Sequence, residues 1–217
     1  MTLPAQVARL KPRMRGVLHQ WAFLAAIPLG IVLGLTADGA RGRVSAAVFA
    51  GSVVAMFGAS ALYHRIDWSD SKRMWFRRLD HAAIYGLIAG SYTPIGLIVL
   101  RGDLRVVVLS IVWGGAAAAI GLKFAWPRAP KWVSAVVAVS LGWVAVGVYP
   151  QLISRAGIPA AVLIGLGGLC YTLGAITYAI RRPDPLPAIF GYHEIFHSLV
   201  VGAVALQYAA IAFFVLH

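Results

Sequence analysis

Charge is scarce in this chain, and acid scarcest of all. Only 12% of its 217 residues are charged, seven of them acidic against nineteen basic. A soluble domain carries about a quarter charged residues, so a soluble globular fold is excluded. Cysteine is nearly absent too. The single Cys170 rules out a disulfide framework and a thiolate metal cluster. Set inside an apolar run, it reads as a small hydrophobe, buried or facing lipid. There is no internal repeat and no low-complexity linker, and no Asp or Glu follows Glu194.

What is present is 60% hydrophobic residues, gathered into long runs with the charges clustered between them. That is the pattern of a polytopic membrane protein, with no room for a separate soluble domain. A net charge of +12 calls for no nucleic acid when the basic residues are spread over membrane loops. Membrane lipids, with anionic headgroups at the cytoplasmic face, are the expected partners. The basic residues at 1–16 precede a long apolar run without a small-residue cleavage site. They form a cytoplasmic N-terminal segment anchoring a first span, not a removed signal peptide.

About 20 apolar residues cross the hydrocarbon core. The sequence on that measure predicts an all-α bundle of seven transmembrane helices within 17–217. The spans run at 17–37, 44–64, 81–100, 106–126, 132–150, 158–180 and 193–216. Pro28 and Pro94 fall inside spans and are expected to kink them. Gly114-Gly115-Ala116 and Gly165-Leu166-Gly167-Gly168 are expected to let helices approach closely. The stretch 65–79, with Trp68, Trp75, Phe76 and five basic residues, reads as a loop lying in the headgroup region. Counting Lys and Arg on alternate sides gives fourteen against five, which places the N-terminus in the cytoplasm and the C-terminus outside.

This topology gathers polar residues at one depth. The second span ends at Ser60-Ala61-Leu62-Tyr63-His64, the third begins near Asp80-His81, and the seventh begins at His193-Glu194-Ile195-Phe196-His197. Ionisable groups at membrane depth are costly unless they pair, bind an ion or line a wet cavity. His193 and His197, four apart, share one helix face. With His64 they make a three-histidine set suited to Zn2+, a water taking the fourth position. Asp80 is the candidate to accept that water's proton, and Ser60, one turn before His64, to orient the water or steady an oxyanion. Each residue also has a structural reading. His64 could be an interfacial ring, Asp80 a helix N-terminal charge or a partner for Arg77 or Arg78, and Ser60 a small packing residue.

His193 to His197 also fits H-E-x-x-H, the metalloprotease signature with Glu as base. Such proteases take their third ligand downstream. Here only His217, expected on the far side of the membrane, follows His197. Glu194 then stands as a competing base or a rim charge. His81 points about 100° away from Asp80 around the helix and is an uncertain fourth ligand. Gly90-Ser91-Tyr92-Thr93-Pro94 either lines the cavity or re-satisfies the backbone at the proline, the second reading being preferred. His19 and His217 read as interfacial.

Four elements together, Ser60-x-x-x-His64, Arg78-Leu79-Asp80-His81, Gly90-Ser91-Tyr92-Thr93-Pro94 and His193-x-x-x-His197, make the chain resemble the hemolysin III family. That family is the bacterial branch of the progestin and adiponectin receptor group, which is similar to a wider superfamily of seven-helix membrane hydrolases including the alkaline ceramidases. The resemblance covers essentially the whole chain. It implies zinc held by His64, His193 and His197, Asp80 contacting a zinc-bound water and Ser60 beside it. The Glu after the first histidine is not a required element of the family motif. Receptor members carry a long cytoplasmic N-terminal domain, so a hormone-receptor role is not implied. The family leaves three functions in view: a zinc-dependent hydrolase of lipid amides, a cytolysin or channel-like protein with structural zinc, and a non-enzymatic role in membrane-lipid homeostasis. A multi-pass place in a bacterial inner membrane is expected in each case.

Overall fold

A computed structural model describes residues 12–126 and 129–216. Seven α-helices are present among them: α1 (Val17–Thr36), α2 (Gly39–Arg65), α3 (Asp70–Pro94), α4 (Asp103–Ala125), α5 (Lys131–Trp143), α6 (Tyr149–Ile180) and α7 (Tyr192–Ala210). Single π-helical turns, Ile95–Val99 and Ile211–Val215, extend α3 and α7, and a 3-10 turn, Val144–Val148, joins α5 to α6. Six segments among the described residues are long and apolar enough to cross a membrane.

The packing is inside out relative to a soluble protein. Leu35, Phe213, Ile158, Val106 and Trp21 stand on the outer surface, where water would penalise them by about 25 cal/mol per Å2 and lipid would not. α3 is the central helix, with 67% of its apolar window buried against 11% for α1. One core joins α1, α2 and α7 through Leu33, Phe49, Met56 and Ile211. The other joins α3, α4 and α6 through Tyr92, Val112, Leu152 and Ile164.

The expected loop at 65–79 is corrected to a much shorter link, because α3 begins at Asp70. A hydropathy window registers only the part of a helix in hydrocarbon. The polar turns from Asp70 to Arg78 continue the same helix outward, with Asp70 at its positive end and Phe76 stacked on Trp68 at 4.0 Å. Pro28 lies within α1 without ending it, and Pro94 is the last residue of α3. The patch before Pro94 does both things: its hydroxyls bond the backbone, and Ser91 and Tyr92 also line an internal cavity. Ser91 donates to Leu87 O at 2.8 Å, Thr93 to Ala89 O at 3.0 Å, and Tyr92 reaches across to Gly142 O at 2.6 Å. Of the glycines expected at helix contacts, Gly115 abuts Leu141 and Gly167 abuts α7, whereas Gly114 and Gly168 face open space.

The expected fifth span closes at Pro150, but helix continues past it as far as Gly157, whose φ of 85° breaks α6. The two ends of the stretch Lys131–Ile180 nevertheless meet: Lys131 Nζ lies 4.3 Å from the centre of the Tyr178 ring. The chain therefore doubles back within this stretch.

The described part of the N-terminal segment is tied down. Arg13 and Met14 donate backbone N–H groups to Ala188 O and Ile189 O, both at 3.1 Å, in the loop before α7. Gly16 then turns the chain into α1 with φ 78°, and a Cβ there would stand 2.5 Å from His64 Cβ. Both the backbone angle and the contact exclude a side chain. Gly16→Ala is expected to cost about 1–3 kcal/mol, read as earlier loss of the monodisperse peak when detergent-purified protein is heated before size exclusion. An unchanged transition would show that this close approach carries no weight.

Candidate metal centre

Three helix ends build the centre. α2 brings His64 in its last turn, α7 brings His193 and His197 in its first two turns, and α3 brings Asp80 from its third turn. The ligand atoms of His64, His193 and His197 all lie within 4.8 Å of one another. His64 Nε2 and His193 Nε2 are 3.1 Å apart. Two nitrogens bound about 2.05 Å from one tetrahedral ion would be separated by about 3.3 Å, so this pair already has nearly the spacing of a shared ion. The donor set is chemically suited as well, since each imidazole can offer one unprotonated nitrogen and imidazole is a common zinc ligand. His64 and His197 are buried and His193 is half-buried.

Asp80 stands beside the set, its Oδ2 3.8 Å from His64 Nε2. It is close enough to act on a molecule held between them, and too far for a direct hydrogen bond to the ring. His81 is not part of the ligand set. Its Nδ1–H donates to Arg77 O at 2.6 Å and its Nε2 lies 3.0 Å from the Tyr178 hydroxyl, so both ring nitrogens are engaged. Glu194 is turned away from the base role. Buried to 1% exposure, it accepts from Arg15 Nε at 2.6 Å and from the Gly191 backbone N–H at 2.9 Å. The second bond is the N3 half of a helix capping box, and the first fastens the N-terminal segment to α7. H-E-x-x-H here mixes two metal-type histidines with a capping glutamate.

His19 was expected at the interface, and the structure corrects that. It is 2% exposed, its ring stacks on His197 with centroids 3.7 Å apart and planes within 6°, and its Nδ1 lies 2.8 Å from Ser60 Oγ. Its Nε2 has no hydrogen-bond partner among the described residues. Ser60, itself buried, thus holds His19, and His19 fixes the plane of His197. Sequence reasoning had the signal, because His19 sits at the start of the first span and so at the same depth as the other helix ends. A lone histidine in an apolar run did not draw it in. His217 lies outside the described residues.

Two cavities meet at this centre. One, of about 470 Å3, runs into the bundle between Met56, Leu87, Tyr92, Ile164 and Val200, with Ser60, Asp80, His193 and His197 at one end. Its wall includes Trp143, Val146 and Leu169, which are also exposed on the lipid-facing surface. The other, of about 260 Å3, lies among Arg15, Arg77, Arg78, Lys123 and Lys131 and shares Asp80, His81, Lys123, Ser134, Tyr178 and His193 with the first.

Comparison with known proteins gives a consistent result. The profile of the family described as "Haemolysin-III related" matches residues 7–208. The chain is similar to the hemolysin-3 homolog of Bacillus subtilis (strain 168), 32% identical over 91% of each chain. It is likewise similar to hemolysin-3 of Bacillus cereus, 32% identical over 92% of this chain and 90% of that one. The adiponectin receptor protein of Drosophila melanogaster is 32% identical over 78% of this chain, the match covering 42% of the receptor.

Stacking by His19 makes a testable statement about the centre. His19→Ala should weaken metal retention by about tenfold, as loss of an orienting neighbour does elsewhere, measured by competition with a chromophoric chelator. His19→Phe, which keeps the stacked ring, should recover most of that loss. Wild-type affinity in His19→Ala would remove the positioning role.

Proposed function

The chain belongs to the haemolysin III family and is a multi-pass integral membrane protein, and from that premise we propose that it is a zinc-dependent hydrolase of lipid amide bonds. One observation carries the reading: three imidazoles and a carboxylate converge where an apolar cavity of acyl-chain character meets a polar one.

His64, His193 and His197 would hold the ion. A bound zinc supplies Lewis-acid polarisation of a carbonyl and makes water acidic enough to react near neutral pH. The apolar cavity takes the acyl chain and excludes bulk water from the scissile bond, while its wall of Trp143, Val146 and Leu169 offers entry from the bilayer. Asp80 takes a proton from the attacking water and returns it to the departing nitrogen. In balance, the water oxygen joins the acyl carbon, the C–N bond breaks, and the amine leaves with the proton. Ser60, on the cavity wall, is placed to steady the developing oxyanion, with its hydroxyl against His19.

The same reading carries the topology. The stretch Lys131–Ile180 holds 50 residues, about 75 Å of helix against a hydrocarbon core of about 30 Å. Two crossings meeting at Gly157 account for the contact between its ends, which makes seven in all. Lining residues of the basic cavity then come alternately from helix starts and helix ends along the chain: Arg15, His64, Asp80, Lys123, Lys131, Tyr178 and Tyr192. With the Lys and Arg bias, this end faces the cytoplasm and the C-terminus lies outside.

The names of the relatives favour a second reading, a cytolysin in which zinc is structural. The apolar lining of the larger cavity suits an acyl chain better than a stream of ions. Purified protein should carry close to one zinc per chain, lost in His193→Ala combined with His197→Ala and reduced in His64→Ala. Zinc-loaded wild type should release fatty acid from at least one N-acyl lipid, and Asp80→Asn should keep its zinc while slowing release by about 10²–10⁴-fold. Full zinc with no release across a panel of ceramides and N-acyl amines would sink the hydrolase. Liposome conductance that survives His64→Ala and Asp80→Ala would favour the cytolysin.

A further inference from the structure

The five cations of the smaller cavity differ from the other described basic residues apart from Arg105, which is half-buried with its guanidinium on Leu100 O. Arg13, Arg41, Arg43, Arg65, Lys72, Arg73, Arg101, Arg155, Arg181 and Arg182 are exposed, as residues that meet headgroups diffusely should be. Arg15, Arg77, Arg78, Lys123 and Lys131 are not. They come from four different segments and converge on one concave space of about 260 Å3.

Three of them, Arg78, Lys123 and Lys131, form no ion pair among the described residues. Arg15 is matched by Glu194. Lys123 donates to the Ser134 hydroxyl, and Lys131 donates to the Tyr192 hydroxyl at 3.0 Å while lying over the Tyr178 and Tyr192 rings. Both lysines are therefore held in place by neutral groups. Arg78 Nε is buried without a hydrogen-bond partner among the described residues. The carboxylate lining the same space is Asp80, which also faces His64. Arg78, Lys123 and Lys131 thus outnumber the one carboxylate among them. Positive charge partly withdrawn from water and left unmatched lowers its energy by taking up an anion. An ion on the three neutral histidines would add to that excess.

We infer that this cavity is a headgroup site for an anionic N-acyl amphiphile, one whose amine-side portion carries a carboxylate or phosphate. The inference rests on the reading that the acyl chain occupies the apolar cavity. With the tail there and the amide at Asp80 and His193, which line both spaces, the amine-side portion falls among the cations. A neutral ceramide-like headgroup would leave them uncompensated, and the amine released from it would be repelled by them. An N-acyl amino acid or a phosphorylated N-acyl amine satisfies both the charge and the shape.

The test compares two probes alike in tail and amide, N-palmitoylglycine and N-palmitoylethanolamine, on the full chain in a neutral maltoside detergent. Direct binding and fatty-acid release are read separately. Wild type should bind the glycine conjugate at least about tenfold more tightly, one tenfold step being the scale of a single good charge contact, and the preference should shrink as salt rises. In Lys131→Gln and in Arg78→Gln, each checked for a wild-type elution profile, the ratio should fall at least about threefold. Equal affinity of wild type for the two probes overturns the inference, whatever the variants do. Inorganic phosphate binding as tightly as N-palmitoylglycine also overturns it, because the site would then serve a free anion. Preference for the glycine conjugate without release from either probe supports the headgroup site and removes the hydrolase. Release from both at equal rates with equal affinities keeps the hydrolase and removes the headgroup site.

Discussion

Everything at one end of this bundle depends on three imidazole nitrogens that converge where water is scarce. In water such a cluster would be held apart by hydration. Here His64 and His197 are buried and the nitrogens of His64 and His193 stand 3.1 Å apart. Three rings point inward with nitrogens close enough for one cation to be shared among them. The surrounding structure keeps those rings from turning away. Ser60 of α2 anchors His19 of α1, whose ring lies flat on His197 of α7. Glu194 draws Arg15 and the start of α7 together, and Gly16 lets α1 begin hard against His64. Three helices with no local sequence relation are fixed to one another at this end by these contacts.

That architecture explains how the sequence could be read. The long apolar runs named the helices because lipid selects for little else. The alternation of their ends then put His64, Asp80, His193 and His197 at one depth, and the structure does bring these four together. Where the reading failed, the cause was physical. α3 starts at Asp70 because a helix need not stop where hydrocarbon stops, and hydropathy is blind beyond that boundary. His19 escaped because its significance is tertiary: a ring stacked on a ligand leaves no spacing in the sequence. Glu194 could not be resolved by motif, since H-E-x-x-H fits a protease base and an N3 cap alike, and only the partners of its two oxygens distinguish them.

The site's chemistry follows from a division between its two cavities. The larger is walled by apolar residues from α3, α5, α6 and α7 and reaches side chains exposed to lipid. The smaller is walled by cations that are half-buried or, for Lys123, buried. Asp80, His81 and His193 belong to both. Lys123, Ser134 and Tyr178 line both as well, but His81 is locked by Arg77 O and Tyr178, and Lys123 bonds Ser134, which leaves Asp80 and the histidine cluster as the groups at the junction able to act on a bound molecule. An amphiphile has the same division, with its polar linkage between tail and headgroup. A molecule seated by its tail and its charge therefore brings that linkage to the junction without any contact to the linkage itself. Binding energy gathered at the two ends then serves orientation in the middle, where proximity is worth most.

The basic cavity also bears on the carboxylate. Asp80 lies among Arg78, Lys123 and Lys131 as well as beside His64. An isolated carboxylate at membrane depth is costly, so the cations that share its cavity bear on Asp80 as well as on a headgroup. On the proposed reading, a bound headgroup would compete for those cations. Headgroup recognition and proton transfer would then be two uses of one set of charges.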